Sequence, residues 1–285
     1  MKELYNIFSV LSSKDPPKTF QIDKFIYLLK SKNQSFNNDD HHDAHEFLTW
    51  LLDTLENELQ LQSQDINNTN NNYISKLFRG IQISNTKCLI CEKNVQVKEP
   101  YYYISVDIEQ NVSLVYCLKR YIKKELMRNN DKFYCDKCNC LQEAERQVQL
   151  NDLPPVLIIQ LKRFKMYEMN QIQKLNSLVN IPKDMNFDFL LNKSIDNSNN
   201  TNINNTEYIL RSIIIHSGNR GEYGHYFALV RIDLSDNWFI CNDETCMLFT
   251  GELEEYYGNP DENYQLNTSQ SAYLLFYEKI NKDNY

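Results

Sequence analysis

Asp40-His-His-Asp-Ala-His-Glu-Phe-Leu-Thr-Trp-Leu-Leu-Asp-Thr-Leu-Glu-Asn-Glu-Leu-Gln-Leu-Gln62 sets Ala44, Phe47, Leu48, Leu51, Leu52, Leu55 and Leu59 three and four residues apart. That spacing gathers one apolar stripe on a helix, with Glu46, Asp53, Glu56 and Glu58 on the other face. Asp39 or Asp40 is the expected cap, and acidic residues in the first turn suit the helix dipole. Upstream, Phe20 to Leu29 predicts a shorter helix. Beyond Gly80 the pattern changes. Tyr101 to Ile108 alternates as a strand does, and Leu114, Cys117, Leu118 and Tyr121 predict a helix from Ser113 to about Met127. Val156 to Met166, Tyr208 to His216, His225 to Ile232, Trp238 to Cys241 and Tyr273 to Glu278 are further strands. Helices first and separated strands afterwards predict an α+β fold.

The 285 residues suffice for one large domain or two modest ones, and 42% hydrophobic with 24% charged residues exclude a disordered or fibrous chain. A net charge of −8 argues against nucleic acid as a partner. No run approaches the ~18 apolar residues of a membrane span, and no signal peptide follows Met1. The expected setting is soluble and intracellular, cytoplasmic or nuclear. Asn makes up about one residue in eight, clustered at 64–72 and 192–206, and these runs read as inserted loops.

Cys88-Leu-Ile-Cys91 and Cys135-Asp-Lys-Cys138 are two C-x-x-C knuckles. Each brings two thiolates to one tetrahedral ion, so together they predict a closed four-sulfur zinc site. The gap between them is too long for a compact finger, so a subdomain lies between the knuckles with the metal clamping its tip. Cys140 is a competing ligand by position, and Cys117, Cys241 and Cys246 read as small core residues.

His225 opens a predicted strand after the Gly-containing loop Gly221-Glu-Tyr-Gly224. A general base needs a rigid element beside an accessible loop, and this position offers both. Asn242 and Asp243 end the next predicted strand. Two adjacent antiparallel strands would set Asn242 against the imidazole and fix its tautomer.

Asp43-Ala-His-Glu-Phe-Leu48, Phe78-Arg-Gly80, both knuckles and Leu153-Pro-Pro-Val-Leu-Ile-Ile-Gln-Leu-Lys-Arg-Phe164 recur in one order with His216-Ser-Gly218, Gly224-His-Tyr226, Trp238 to Asp243 and Tyr273 to Tyr277. This series resembles the ubiquitin-specific protease family of cysteine deubiquitinases. Cys88-Leu-Ile-Cys-Glu92, Ser105-Val-Asp-Ile-Glu-Gln-Asn111, Gln142-Glu-Ala144 and Glu254-Glu-Tyr-Tyr-Gly258 are most similar to the subgroup activated by WD40-repeat proteins. The resemblance implies a papain-like hand: residues 1–80 mostly thumb, 81–152 zinc-tipped fingers, 153–285 mostly palm. It implies ubiquitin or ubiquitinated proteins and a WD40-repeat activator as partners, and structural Zn2+ on Cys88, Cys91, Cys135 and Cys138. His225 corresponds to the general base, Asn242 with Asp243 to the orienting group. Asp43 and Glu46 correspond to acidic positions that hold ubiquitin's basic tail, and Gly224 and Tyr226 to the channel for its terminal glycines. For Asp43 and Glu46, a capped and solvated helix start is the competing reading.

The family's nucleophilic cysteine lies upstream of the Asp-Ala-x-Glu-Phe helix, whereas the first cysteine here is Cys88. The expectation is a domain that is N-terminally incomplete and inactive as it stands, or an inactive ubiquitin- or WD40-binding scaffold. The family's Gln-Gln before the Asp-Ala pair is His41-His42 here.

Overall fold

The computed structural model describes residues 2–15, 21–38, 40–62, 72–166, 172–191, 205–219, 223–232, 235–259 and 269–280. The chain divides into two compact units, Met1–Ile74 and Ser75–Tyr285.

The first unit is helical among its described residues, with helices Lys2–Leu11, Asp23–Lys32 and Ala44–Gln62 and a 3-10 turn, Gln34–Phe36. The long helix starts at Ala44, later than a cap at Asp39 or Asp40 would set it, because its cap is Asp43. Oδ1 of Asp43 accepts the backbone N–H groups of His45 (2.8 Å) and Glu46 (3.0 Å), two of the donors a helix start leaves unpaired. Asp40 does not cap: its carboxylate accepts from Asn38 Nδ2 at 2.7 Å. Asp39 lies outside the described residues, as does Phe20. The second helix runs to Lys32 and stops at Asn33, whose extended backbone lets its side chain accept Ser35 N–H at 2.9 Å. Buried Phe36 meets the rings of Phe47 and Trp50 at 5.9 and 5.7 Å, two residues one helical turn apart.

The second unit holds two principal sheets. A four-stranded sheet runs in the order Asn94–Tyr101, Gly80–Cys88, Ala144–Asp152, Glu125–Met127, and the small hairpin Phe133–Cys135 with Cys140–Gln142 lies beside it in sequence. The larger sheet runs Thr245–Phe249, Trp238–Asn242, His225–Arg231, Glu207–Ser217, Gln270–Lys279, Val156–Leu161, Tyr103–Val106, with Asp184–Asn186 added along Glu207–Ser217. Its pairs are antiparallel except Tyr103–Val106 with Val156–Leu161. Central strands read as continuous apolar runs because both faces are covered. Leu157, Ile158, Ile159, Ile213, Ile215 and Leu275 have no measurable exposure, and each such side chain stabilises the fold by about 1.5–3 kcal/mol. Helix Leu114–Tyr121 buries Leu114, Cys117 and Leu118, and Ser113 caps it by accepting Tyr116 N–H at 3.1 Å.

Several predicted elements change. The helix from Ser113 ends at Tyr121, and Glu125–Met127 is a strand paired with Ala144–Arg146. The predicted strand Tyr101 to Ile108 is divided, Tyr101 ending one sheet strand and Tyr103–Val106 joining the other sheet. Val156 to Met166 breaks after Leu161, because the Arg163 side chain turns inward and Phe164–Met166 pairs separately with Ile172–Lys174. The Asn-rich runs lie outside the described residues apart from Asn72, Asn205 and Thr206, of which Asn72 and Thr206 are buried. Cys117 is buried as expected, but Cys246 is exposed and Cys241 only partly covered. They are not core residues, because Thr245–Phe249 is an edge strand whose first four residues face solvent. Among the described residues no helix is long and apolar enough to cross a membrane.

Candidate active site and metal centre

His225 is the first residue of its strand, and Asn242 ends the neighbouring strand one step beyond the Ala228–Cys241 pair. His225 Nε2 lies 2.5 Å from Asn242 Oδ1, and Asp243 Oδ2 stands 3.7 Å from the same nitrogen. A carboxamide oxygen only accepts, so Nε2 carries the proton and Nδ1 presents its lone pair. Asp243, with φ of 47°, occupies the left-handed region at the turn that delivers Asn242 to the ring. The arrangement is a half-exposed imidazole, held in one tautomer, whose other nitrogen is available to a proton.

Behind His225 the support is buried and polar. The His216 ring lies against Tyr226 at 4.9 Å and Phe164 at 5.0 Å, and Tyr273 meets Tyr226 at 5.9 Å. A Cβ on Gly224 would stand 2.0 Å from His216 Nε2, so only glycine lets the loop close over that ring. The close backbone approach seen at Gly224 is thus to His216. Lys174 donates to the carbonyls of His216 (2.8 Å) and Ser269 (2.5 Å), and burial brings its ammonium down to about 7. Fully buried Arg163 donates to the carbonyls of Leu175 (3.0 Å), Ser177 (2.9 Å), Tyr257 (3.1 Å) and Ala272. Burial lowers the Arg163 guanidinium to about 9, which leaves it charged at neutral pH. Sequence reasoning assigned Arg163 and Lys174 no role. The available signal was a charged pair, Lys162-Arg163, directly after an apolar strand.

The four predicted metal ligands do come together. The sulfurs of Cys88, Cys91, Cys135 and Cys138 all lie within 4.8 Å of one another, with Cys91 and Cys135 at 3.5 Å. A tetrahedron with metal–sulfur bonds of ~2.3 Å has edges of ~3.8 Å, which falls inside that span. Each knuckle closes by the same local chemistry. Glu92 N–H donates to Cys88 O and Asn139 N–H to Cys135 O, and both residues take left-handed backbones, φ 57° and 55°. Backbone N–H groups of Cys91 and Ile90 hold the Cys88 thiol down to about 7, favouring the thiolate a metal needs. Cys140 stays outside the cluster and hydrogen-bonds to Cys138 O at 3.3 Å.

In the helical unit, Asp43 acts as the helix cap described above, so the competing reading of its position holds in part, through Oδ1. Glu46 follows at the third helical position. His42 Nε2 donates to Asn38 Oδ1 at 2.7 Å, and the ring packs edge-on against Phe36. Burial lowers the pKa of His45, and the nearby Asp43 carboxylate offsets part of that shift.

Residues 1–277 match the family model described as ubiquitin carboxyl-terminal hydrolase. The chain is 30% identical to ubiquitin carboxyl-terminal hydrolase 4 of Arabidopsis thaliana, covering 97% of this chain and 80% of that protein. It is 32% identical to ubiquitin carboxyl-terminal hydrolase 12 of Salmo salar, covering 92% and 72% respectively. Among solved structures it is similar to a chain in the SAGA Ubp8/Sgf11/Sus1/Sgf73 DUB module bound to ubiquitin aldehyde, with a TM-score of 0.70 and 28% identity. That match covers 90% of this chain and 54% of the other, so the chain spans about half the length of the solved protein.

Proposed function

The chain belongs to the ubiquitin carboxyl-terminal hydrolase family, and from that membership we propose that it forms the domain of a cysteine deubiquitinase that cleaves after ubiquitin's last glycine. The 2.5 Å contact between His225 Nε2 and Asn242 Oδ1 carries this reading. It leaves Nδ1 as the base that takes a thiol proton and returns it to the departing lysine amine. The thiolate attacks the glycine carbonyl, the amine leaves protonated, and water then hydrolyses the thioester. Asn242 orients the ring, and Asp243 adds negative charge beside the imidazolium that forms. Asp43 and Glu46 take the basic residues of ubiquitin's tail, since carboxylates accept paired bonds from arginine. Gly224 and Tyr226 line the path of its glycines.

In this reading residues 1–80 supply most of a thumb, 81–152 the fingers and 153–285 most of a palm, in a papain-like hand. Cys88, Cys91, Cys135 and Cys138 hold a structural Zn2+ as a ribbon at the fingertip; the ion stabilises that tip and takes no part in the chemistry. The motifs Cys88 to Glu92 and Glu254 to Gly258 support the subgroup activated by WD40-repeat proteins.

This reading assigns the nucleophile to none of the eight cysteines, all of which follow the start of the helix at Ala44. Four form the metal cluster, and Cys117 is buried with its thiol pushed up to about 11 by burial. No cysteine precedes Cys88, where the family's cysteine box belongs. A second reading is a ubiquitin- or WD40-binding scaffold without activity. One experiment separates them: a relative's cysteine box is fused ahead of Met1 and hydrolysis of a ubiquitin–fluorophore amide is followed. The deubiquitinase reading predicts turnover that His225→Ala lowers by about 10²–10⁴-fold without loss of fold. Covalent labelling of the 285-residue chain itself by a ubiquitin C-terminal electrophile would overturn the missing-nucleophile assignment. Ubiquitin binding without turnover in the fused protein would establish the scaffold.

A further inference from the structure

The hairpin that carries Asn242 also carries two cysteines with no part in the reaction above. Cys241 and Cys246 face each other across the antiparallel pair, and their sulfurs lie 3.2 Å apart. Asn242 and Thr245 close the two-residue turn, so alternation of the ladder makes Cys241–Cys246 the non-hydrogen-bonded pair, whose side chains stand closer. Antiparallel partners have Cα separations of ~4.5–5.5 Å, inside the ~4.4–6.8 Å that a disulfide spans. A bond of ~2.05 Å then needs side-chain rotation and no strand displacement. Exposed Cys246 is where an oxidant arrives, and Cys241 lies partly covered beside it. Burial, followed by the neighbouring Cys246, pushes the Cys241 thiol up to about 11, so Cys241 is protonated at neutral pH.

We infer that Cys241 and Cys246 form a reversible dithiol–disulfide site, oxidised by hydrogen peroxide and reduced by thiols such as glutathione, at the root of the turn that presents Asn242. Cys246 sulfur attacks peroxide oxygen, breaking the O–O bond to give a sulfenic acid and water. Cys241 sulfur then displaces the sulfenic oxygen as a second water, forming the S–S bond. Two electrons pass from the sulfurs to the peroxide, and both thiol protons end in water. Because Asn242 directly follows Cys241 and touches His225 Nε2, the redox state of the pair is felt at the imidazole. Exposure keeps the bond within reach of reducing thiols, the behaviour of a sensing disulfide rather than a structural one.

The test is peroxide treatment of the zinc-loaded 285-residue chain, followed by digestion without reductant and mass spectrometry. The expected product is a Cys241–Cys246 linked peptide two mass units lighter than the dithiol. It should be reversed by glutathione and form while the zinc content of the cluster is unchanged. His225 ring resonances in NMR spectra should shift on oxidation and return on reduction, with no shift in Cys246→Ser or Cys246→Ala. Peptides with Cys246 as sulfinic acid and Cys241 still open to alkylation would overturn the site. A linked peptide with unmoved His225 resonances, or an equal shift in both Cys246 variants, would overturn the coupling to Asn242. Zinc release without the linked peptide would assign the oxidation to the metal cluster and overturn the proposal.

Discussion

The cysteine cluster and the His225–Asn242 pair are both assembled by tight turns at strand ends, yet different forces hold them. At the cluster, Glu92 and Asn139 make the left-handed turns; at the other site Asp243 does. Around the cluster the apolar side chains face water: Ile90 is 69% and Leu141 59% exposed. Around His225 the sheet is anchored by buried Phe227, Leu229 and Trp238, and Arg163 ties loop segments to the strand Gln270–Lys279 through four carbonyls. One site lacks a packed core of its own and leans on its ligands. The other leans on a sheet and a buried cation. A short motif can therefore suffice for the first but never for the second.

Emptying the proposed metal site gives the sharpest contrast. Structural zinc in small peptide domains contributes about 10–16 kcal/mol of binding energy, so chelation or Cys138→Ser should unravel the knuckles. Hydrogen exchange should show lost protection near Cys88 and Cys135, with Ile213 and Leu275 unchanged. Equal loss in both regions would erase the distinction drawn between them.

Arg163→Met attacks the other side of the comparison. Four carbonyls lose a charged donor in a buried setting, and a loss of about 3–5 kcal/mol in urea unfolding is expected. The cysteine cluster should bind zinc as before. A pH-dependent effect follows from Lys174, whose folded pKa is about 7 against an ordinary 10.5. The unfolded chain holds that proton through the interval between the two values and the folded one does not. Stability of the larger sheet should therefore rise from about pH 7 towards 10.5, and Lys174→Met should flatten that rise. Thermal unfolding followed across this range reads the slope.

Asp43→Ala should give the smallest loss, about 1 kcal/mol from the helical unit, by removing its cap. Asp43→Asn keeps an accepting oxygen and should retain most of that stability. In a ubiquitin titration it should still bind more weakly, because the charge is gone. Unimpaired ubiquitin binding by Asp43→Asn would reduce Asp43 to a cap.

The knuckles were legible because each ligand pair lies within one turn, and because four cysteines in two such pairs have few other uses. The long helix was legible from its stripe, but its start was not. Asp39, Asp40 and Asp43 are all cap-competent residues, and only backbone geometry selects Asp43. The His225–Asn242 pairing could be anticipated from two strand ends, while its distance could not. Arg163 and Lys174 left almost no trace, since a buried cation looks like a surface one until the carbonyls around it are known. Cys241 and Cys246 were misread for the same reason: whether Thr245–Phe249 is an edge or a centre strand is a property of the sheet.

Composition, periodicity and motif order by themselves determined an α+β chain, the four cysteines of its cluster and the residues to watch at positions 225 and 242. These are properties of neighbours along the chain, fixed by turn and helix geometry over a few residues. Tertiary structure alone decided which charges are buried, which aspartate caps and which cysteines meet. Those outcomes depend on strand order and register, where segments as far apart as Arg163 and Ala272 are joined, and no local pattern records them.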